Sequence, residues 1–202
     1  MSFFTIILAG GKSKRMGTNK STLKIKGKPL ITHIINSLTV AGCTNFIIQV
    51  KSKKDKDIIQ PLVSNFNISW NMDNFEDGDV IKAIYSGLVF AKEKGWEAVQ
   101  LVPIDTPYVS AKLFEILSNK LKKDLDVIIP KSNYSDYGLE PLLSHLKTGS
   151  AIKKLKENIE GENKSLGKIF TEMKHEIINS QELIKLGVSN EEFKNLNYPE
   201  DV

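Results

Sequence analysis

The stretch LAGGKSKRMGTNK, residues 8–20, leaves an apolar run and turns at once to glycine and positive charge. Gly10 and Gly11 can take backbone angles that a Cβ forbids, and their N–H groups can close on an anion as a backbone nest does. Lys12, Lys14, Arg15 and Lys20 follow, with Met16 the lone apolar side chain among residues 12–20. Arginine forks onto two phosphate oxygens and lysine acts as a point charge. The loop therefore reads as a polyphosphate site with Arg15 and Lys20 as its charges. Its spacing is neither G-x-x-x-x-G-K-[ST] nor G-x-G-x-x-G. The plain alternative is a tight βα turn with solvated lysines.

A second group with chemistry is Asp105, in VPIDTPYV (102–109), at the end of an apolar strand. A hard cation such as Mg²⁺ takes oxygen ligands, and one protein carboxylate can serve when phosphates and water complete the shell. The alternative is a turn or capping aspartate, which Asp-Thr-Pro favours. None of the histidines is expected to be catalytic. His33 is read within a helix, His145 on another, and His175 near a strand start.

These residues need elements to position them. FFTIIL (3–8), FIIQV (46–50), ISWNM (68–72), AVQLVPI (98–104) and DVIIP (126–130) read as buried strands. Helical periodicity runs through 29–42, 79–95 and 110–123. The first opens on Pro29 and ends at Gly42, the second ends at Gly95, and the third opens on Ser110. Alternating strands and helices predict parallel pairing through right-handed crossovers. The expected fold class is α/β, a single three-layer sandwich with a mostly parallel sheet. In such a sheet ligands sit at the carboxyl ends of the strands, which is where the 8–20 loop and Asp105 fall. After residue 131 the pattern loosens into a polar turn, two helical stretches and a short strand at HEIIN. One domain over 1–202 is expected, with 1–130 as a nucleotide-binding half and 131–202 as an acceptor-side elaboration.

Composition narrows the class. The chain has 202 residues, 28 Lys and Arg against 24 Asp and Glu, and a net charge of +4. Spread along the chain, the lysines read as a solvated surface. No nucleic-acid motif accompanies them, and no stretch reaches the length of a membrane span. The single cysteine, Cys43, cannot form an internal disulfide and fits a reducing, cytoplasmic setting.

LAGGKSKRMGTNK resembles the signature L-A-G-G-x-S-x-R-M-G-x-x-K of nucleotidyltransferases of the sugar-nucleotide type. The stretch that follows it, LKIKGKPLITHIINSL, is similar to the family's short strand, G-K-P-L and helix. Within that family, VPIDTPYV, GLEPLLSHLK (138–147) and FKNLNYPEDV (193–202) resemble, in order, segments of the molybdenum cofactor guanylyltransferases. The resemblance implies a Rossmann-like nucleotide-diphospho-sugar transferase fold. It implies transfer of GMP from GTP to the phosphate of molybdopterin or Mo-molybdopterin, with release of pyrophosphate and with Mg²⁺ as cofactor. Partner proteins of biosynthesis are compatible with it; nucleic acid and membrane are not implied.

Carried over residue by residue, Leu8, Ala9 and Gly10 would lie against base and ribose. Gly11, Arg15 and Lys20 would face the triphosphate, Asp73 would serve on the nucleotide side, and Asp105 would ligate magnesium. Asn195 and Asn197, on one face if that segment is extended, would close the site. The chain departs from the subgroup at Asn19, Gln49 and Tyr198, and DVIKA (79–83) lacks its G-P-L-x-G. Three alternatives share the chemistry: cytidylyl transfer to molybdopterin, guanylyl transfer to adenosylcobinamide phosphate, and nucleotidyl transfer to a sugar 1-phosphate. An alternative of another class is a non-catalytic nucleotide-binding protein.

Overall fold

A computed structural model describes residues 3–10, 20–72, 79–134, 138–162 and 164–196. The strands are β1 (Phe3–Leu8), β2 (Lys24–Ile25), β3 (Lys28–Pro29), β4 (Cys43–Val50), β5 (Ile68–Met72), β6 (Ala98–Pro103), β7 (Val127–Pro130), β8 (His145–Lys147) and β9 (His175–Ile178). The α-helices are α1 (Leu30–Val40), α2 (Lys53–Ile59), α3 (Val80–Glu93), α4 (Ala111–Lys120), α5 (Thr148–Glu157), α6 (Leu166–Thr171) and α7 (Ser180–Lys185).

Seven strands form one sheet in the order β5-β4-β1-β6-β8-β7-β9, and β2 pairs with β3 in a small hairpin. Within the large sheet only β8 runs antiparallel to its neighbours. The carboxyl ends of β1, β4, β5, β6 and β7 therefore share one edge. Strand alternation sends side chains to two cores. Ile7, Ile48 and Val102 join α1 and α4 on one face. Ile6, Ile47 and Leu101 join α3, α5 and α6 on the other. The result is the three-layer α/β arrangement that the strand and helix alternation predicts.

Local chemistry explains the helix limits. Pro29 precedes α1 with φ −57°, an angle its ring already favours, and Gly42 stops the helix at φ +97°. Asp79 caps α3 by accepting from the Ile81 N–H at 2.8 Å, and Gly95 follows it at φ +78°. Ser110 caps α4 through the Leu113 N–H at 3.3 Å.

One sequence expectation is corrected. His145 is not helical; it opens β8, pairing with Gln100 on one side and Ile128 on the other. GLEPLLSHLK carries enough leucines to suggest a helix, but Ser144 and Leu146 are held in the sheet. The Leu101 N–H donates to the Ser144 carbonyl at 2.9 Å, and Leu146 is fully buried.

Candidate active site

The first functional segment continues β1 past its last residue. The Ile104 N–H donates to Leu8 O at 3.1 Å, and the Ala9 N–H donates to Gln49 O at 2.9 Å. Leu8 and Ala9 are thus clamped between β6 and β4, both buried, and Gly10 emerges half-buried at the sheet edge. Gly11 and Arg15 lie outside the described residues, as does Asp73 immediately after β5.

The chain re-enters at Lys20, which opens a 3₁₀ turn (Lys20–Thr22). Its Nζ donates to Leu196 O at 2.8 Å and to Asp105 Oδ2 at 3.3 Å. Asp105 sits in the turn after β6, and its own carbonyl accepts from the Leu196 N–H at 2.9 Å. Three segments remote in sequence therefore close on one another at the carboxyl edge. The Lys20 and Asp105 side chains keep 16% and 28% of their surface exposed, so the pair is reachable from solvent. Asp105 does not cap a helix; Ser110 does that for α4. Neighbouring Thr106, buried, turns its hydroxyl back to Pro103 O at 3.1 Å and fixes the strand exit.

Glu192 brings Leu196 there. It belongs to a capping box with Ser189 at the start of the 3₁₀ turn Asn190–Phe193. One Glu192 oxygen accepts from the Ser189 N–H at 3.0 Å, the other from the Ser110 N–H at 2.8 Å. The carboxylate thus staples the chain's last described segment to the head of α4, and Phe193 and Leu196 bury behind it. Asn195 is exposed on this segment, and Asn197 lies outside the described residues.

A polar cluster stands beside Leu8 on the α3 face. Register aligns Leu8, Gln49 and Asn71 across three strands. Asn71 Nδ2 donates to Gln49 Oε1 at 2.9 Å and to Ser86 Oγ at 3.0 Å. Gln49 is 1% exposed, and its Nε2 has no hydrogen-bond partner among the described residues. Gly87 makes room for it: a Cβ there would stand 3.2 Å from Gln49 Oε1 and 3.2 Å from Ile6 Cγ2.

On the other side of Asp105 is Glu140, half-buried. Burial pushes its carboxyl above the ordinary glutamate value, the Ser132 hydroxyl bonded to it pulls the other way, and the negative charge of Asp105 adds to the rise. Asn71, Ser86, Glu140 and Glu192 were not singled out by the sequence reading. Asn71 left a signal, a polar residue in the strand ISWNM two places from an acidic loop, and Glu140 lies within the segment GLEPLLSHLK. Among the described residues no group of three or more His, Cys, Asp or Glu could hold a metal. A lone carboxylate still fits Mg²⁺ where phosphates complete the shell.

A lysine and a carboxylate meeting at the carboxyl edge of a mostly parallel sheet, next to a glycine-led exit from β1, define an α/β domain of the nucleotidyltransferase type. The chain belongs to the MobA-like NTP transferase domain family, whose pattern matches residues 5–176. It is 34% identical over 146 residues to a bifunctional enzyme IspD/IspF of Pelagibacter ubique, covering 70% of this chain and 38% of that protein. It is 32% identical over 126 residues to a molybdenum cofactor guanylyltransferase of Vibrio campbellii, covering 61% and 59% respectively. The chain thus spans less than two thirds of the length of these relatives. In fold it is similar to molybdopterin-guanine dinucleotide biosynthesis protein A of Archaeoglobus fulgidus, with a TM-score of 0.74 at 20% identity over 98% of this chain and 94% of that one. No helix among the described residues is long and apolar enough to cross a membrane.

Proposed function

We propose that this chain transfers GMP from GTP to the phosphate of molybdopterin, releasing pyrophosphate. The observation that supports it most is the convergence of Lys20, Asp105 and Leu196 at the carboxyl edge, in a chain whose relatives include a molybdenum cofactor guanylyltransferase.

In this reading an acceptor phosphate oxygen attacks the α-phosphorus of GTP. A P–O bond forms there while the bond to the β-phosphate bridge oxygen breaks, and the electron pair leaves with pyrophosphate. The acceptor is a phosphate monoester, ionised at neutral pH, so no general base has to remove a proton. That agrees with the histidines: His33 bonds Ile25 O from α1, His145 is buried, and His175 bonds Met173 O. Lys20 exchanges its bonds to Asp105 and Leu196 for the triphosphate and follows the charge that grows on the leaving group. Arg15 supplies a second cation from the loop. Gly11 brings its backbone N–H group to the phosphates, and Gly10 lies with Leu8 and Ala9 against base and ribose. Asp105 would hold Mg²⁺, which would supply positive charge to offset that of the triphosphate.

Leu8 and Ala9 offer backbone groups to the base, with Asp73 on the nucleotide side. Gln49, one of the departures from the subgroup, keeps an amide where the subgroup has one. Its Nε2, without a partner among the described residues, is a buried donor whose burial costs about 1–3 kcal/mol until an acceptor meets it. An acceptor on the base or the ribose is expected to relieve that cost. Asn195 and Asn197 close the site over the bound substrates.

The test is pyrophosphate release with four nucleoside triphosphates crossed against molybdopterin, adenosylcobinamide phosphate and sugar 1-phosphates. The expected result is Mg²⁺-dependent turnover with molybdopterin and a GTP preference of about tenfold or more in kcat/KM. A CTP preference, or none, overturns the guanylyl reading and leaves nucleotidyl transfer intact. Absence of pyrophosphate release with every pair would favour a non-catalytic nucleotide-binding protein.

A further inference from the structure

Glu140 is held in place with unusual care for a side chain outside both cores. Its N–H donates to Pro130 O at 3.0 Å, tying it to the carboxyl end of β7, and its own carbonyl accepts from the Leu143 N–H at 3.0 Å. The hydroxyl of buried Ser132 donates to Oε1 and fixes the carboxylate's rotation. Ser132 is itself pinned: its N–H donates to Gly138 O at 2.7 Å, and its Oγ accepts from the Tyr134 N–H at 3.0 Å. Among the described residues no cation pairs with this carboxylate. Half-burying an unpaired carboxylate within electrostatic reach of Asp105 costs stability. Such an arrangement calls for a ligand.

Strand order says which ligand. β1 and β4, with Leu8 and Gln49, lie on one side of β6; β8 and β7, with Glu140 at their shared end, lie on the other. In-line displacement at phosphorus puts the nucleophile opposite the leaving group. With the triphosphate held from Lys20 and the β1 exit, the acceptor enters from the Glu140 side. An anion repels its phosphate, so Glu140 meets the acceptor's other end.

Resting on the nucleotidyl-transfer reading above, we propose that Glu140, oriented by Ser132, is a specificity residue for the acceptor: it accepts hydrogen bonds from adjacent N–H groups of an aminopyrimidinone edge, the edge a pterin presents. The carboxylate offers Oε2 and the remaining lone pair of Oε1 to two parallel donors. A sugar acceptor has hydroxyls but no such paired N–H edge.

The experiment compares wild type with Glu140→Ala, Glu140→Gln and Ser132→Ala in full-length protein, each checked for folding by thermal melting. Initial rates are measured against acceptor, nucleotide and Mg²⁺ in turn, using the acceptor that wild type turns over. Binding of a phosphate-free 6-hydroxymethylpterin is followed by its fluorescence. Glu140→Ala is expected to raise the acceptor KM about tenfold or more. The nucleotide KM and the Mg²⁺ dependence stay unchanged, and pterin binding is lost. Glu140→Gln, which keeps one carbonyl acceptor, falls between, and Ser132→Ala shifts the same constant by less. A shifted Mg²⁺ dependence with an unchanged acceptor KM would make Glu140 a metal ligand and overturn the proposal. So would an unchanged acceptor KM in all three variants, or wild type that does not bind the pterin. If wild type uses another nucleotide with the pterin acceptor, the guanylyl reading fails while this one stands.

Discussion

At the carboxyl edge of the sheet, Lys20, Asp105 and the Leu196 backbone are partly open to solvent and bonded to one another. In the sheet's interior, Thr5, Cys43, Gln100 and His145 form a sealed polar row on the α1 and α4 side. Thr5 Oγ1 and Cys43 Sγ stand 3.1 Å apart, and Gln100 Nε2 donates to Leu143 O at 2.7 Å. Gln100 Oε1 and His145 Nδ1 have no partner among the described residues. Burial pushes the Cys43 thiol up to about 11 and pulls the His145 imidazole down to about 4. Such strong perturbation is often taken to mark function. Here its cause is desolvation, far from the convergent charges. The edge group is recognised by convergence and access, and the interior row is the part of a polar sheet that the cores closed over.

The contrast can be broken most severely at Asp105. Asp105→Ala is expected to cut turnover by about 10²–10³ or more, as removal of a preorganised electrostatic group does, with the protein still folded. Near-wild-type turnover in a folded variant would strip the edge group of its role. Lys20→Ala is expected to lower kcat/KM for GTP and CTP by similar factors, because an ammonium on phosphate reads no base; steady-state rates with both nucleotides decide it.

For His145 the expected effect is on stability alone. Its folded value lies below the unfolded 6.5, so the unfolded state binds the proton first as pH falls. Stability is full above pH 6.5 and falls progressively toward pH 4, by about 3 kcal/mol in all. His145→Phe should flatten that part of the profile in denaturant titrations between pH 7 and pH 4, with kcat unchanged at pH 7. Gly87→Ala should have the smallest effect. Its Cβ crowds Gln49 and Ile6, at about 1–3 kcal/mol, against about 1 kcal/mol of helix propensity gained. A modest loss of melting temperature and a modestly raised nucleotide KM are expected together, read by thermal melting and by initial rates against GTP.

Much of this was legible in the chain. FFTIIL, ISWNM and the helices at 29–42 and 79–95 announce themselves by apolar period and by Pro and Gly punctuation. α2 did not, because KKDKDII shows its core nothing but Ile59 and leans on the Ser52 cap, whose Oγ accepts from the Asp55 N–H at 3.2 Å. β8 did not, because three residues are too few to show a period, and their pairing with β6 and β7 is decided by the sheet. Lys20 and Asp105 could be picked out by type and position. Leu196 could not, since it contributes a carbonyl and an N–H that every residue owns. Glu192 and Glu140 were hidden for a related reason: a carboxylate's partners, Ser110 and Ser132, are brought to it by tertiary folding alone.

The antiparallel β8 also dictates an order of assembly. Each of β1, β4, β5 and β6 can find its neighbour through helical crossovers as the chain lengthens, and the sheet grows as they do. β7 cannot continue that growth when it is made, because its seat beside β6 belongs to a strand eighteen residues further along. The β7–β9 edge must therefore wait until β8 slots into the gap. Until then β6 carries an open row of N–H and C=O groups, an edge to which another chain can add. His145 to Lys147 are the three residues whose pairing with β6 retires this edge.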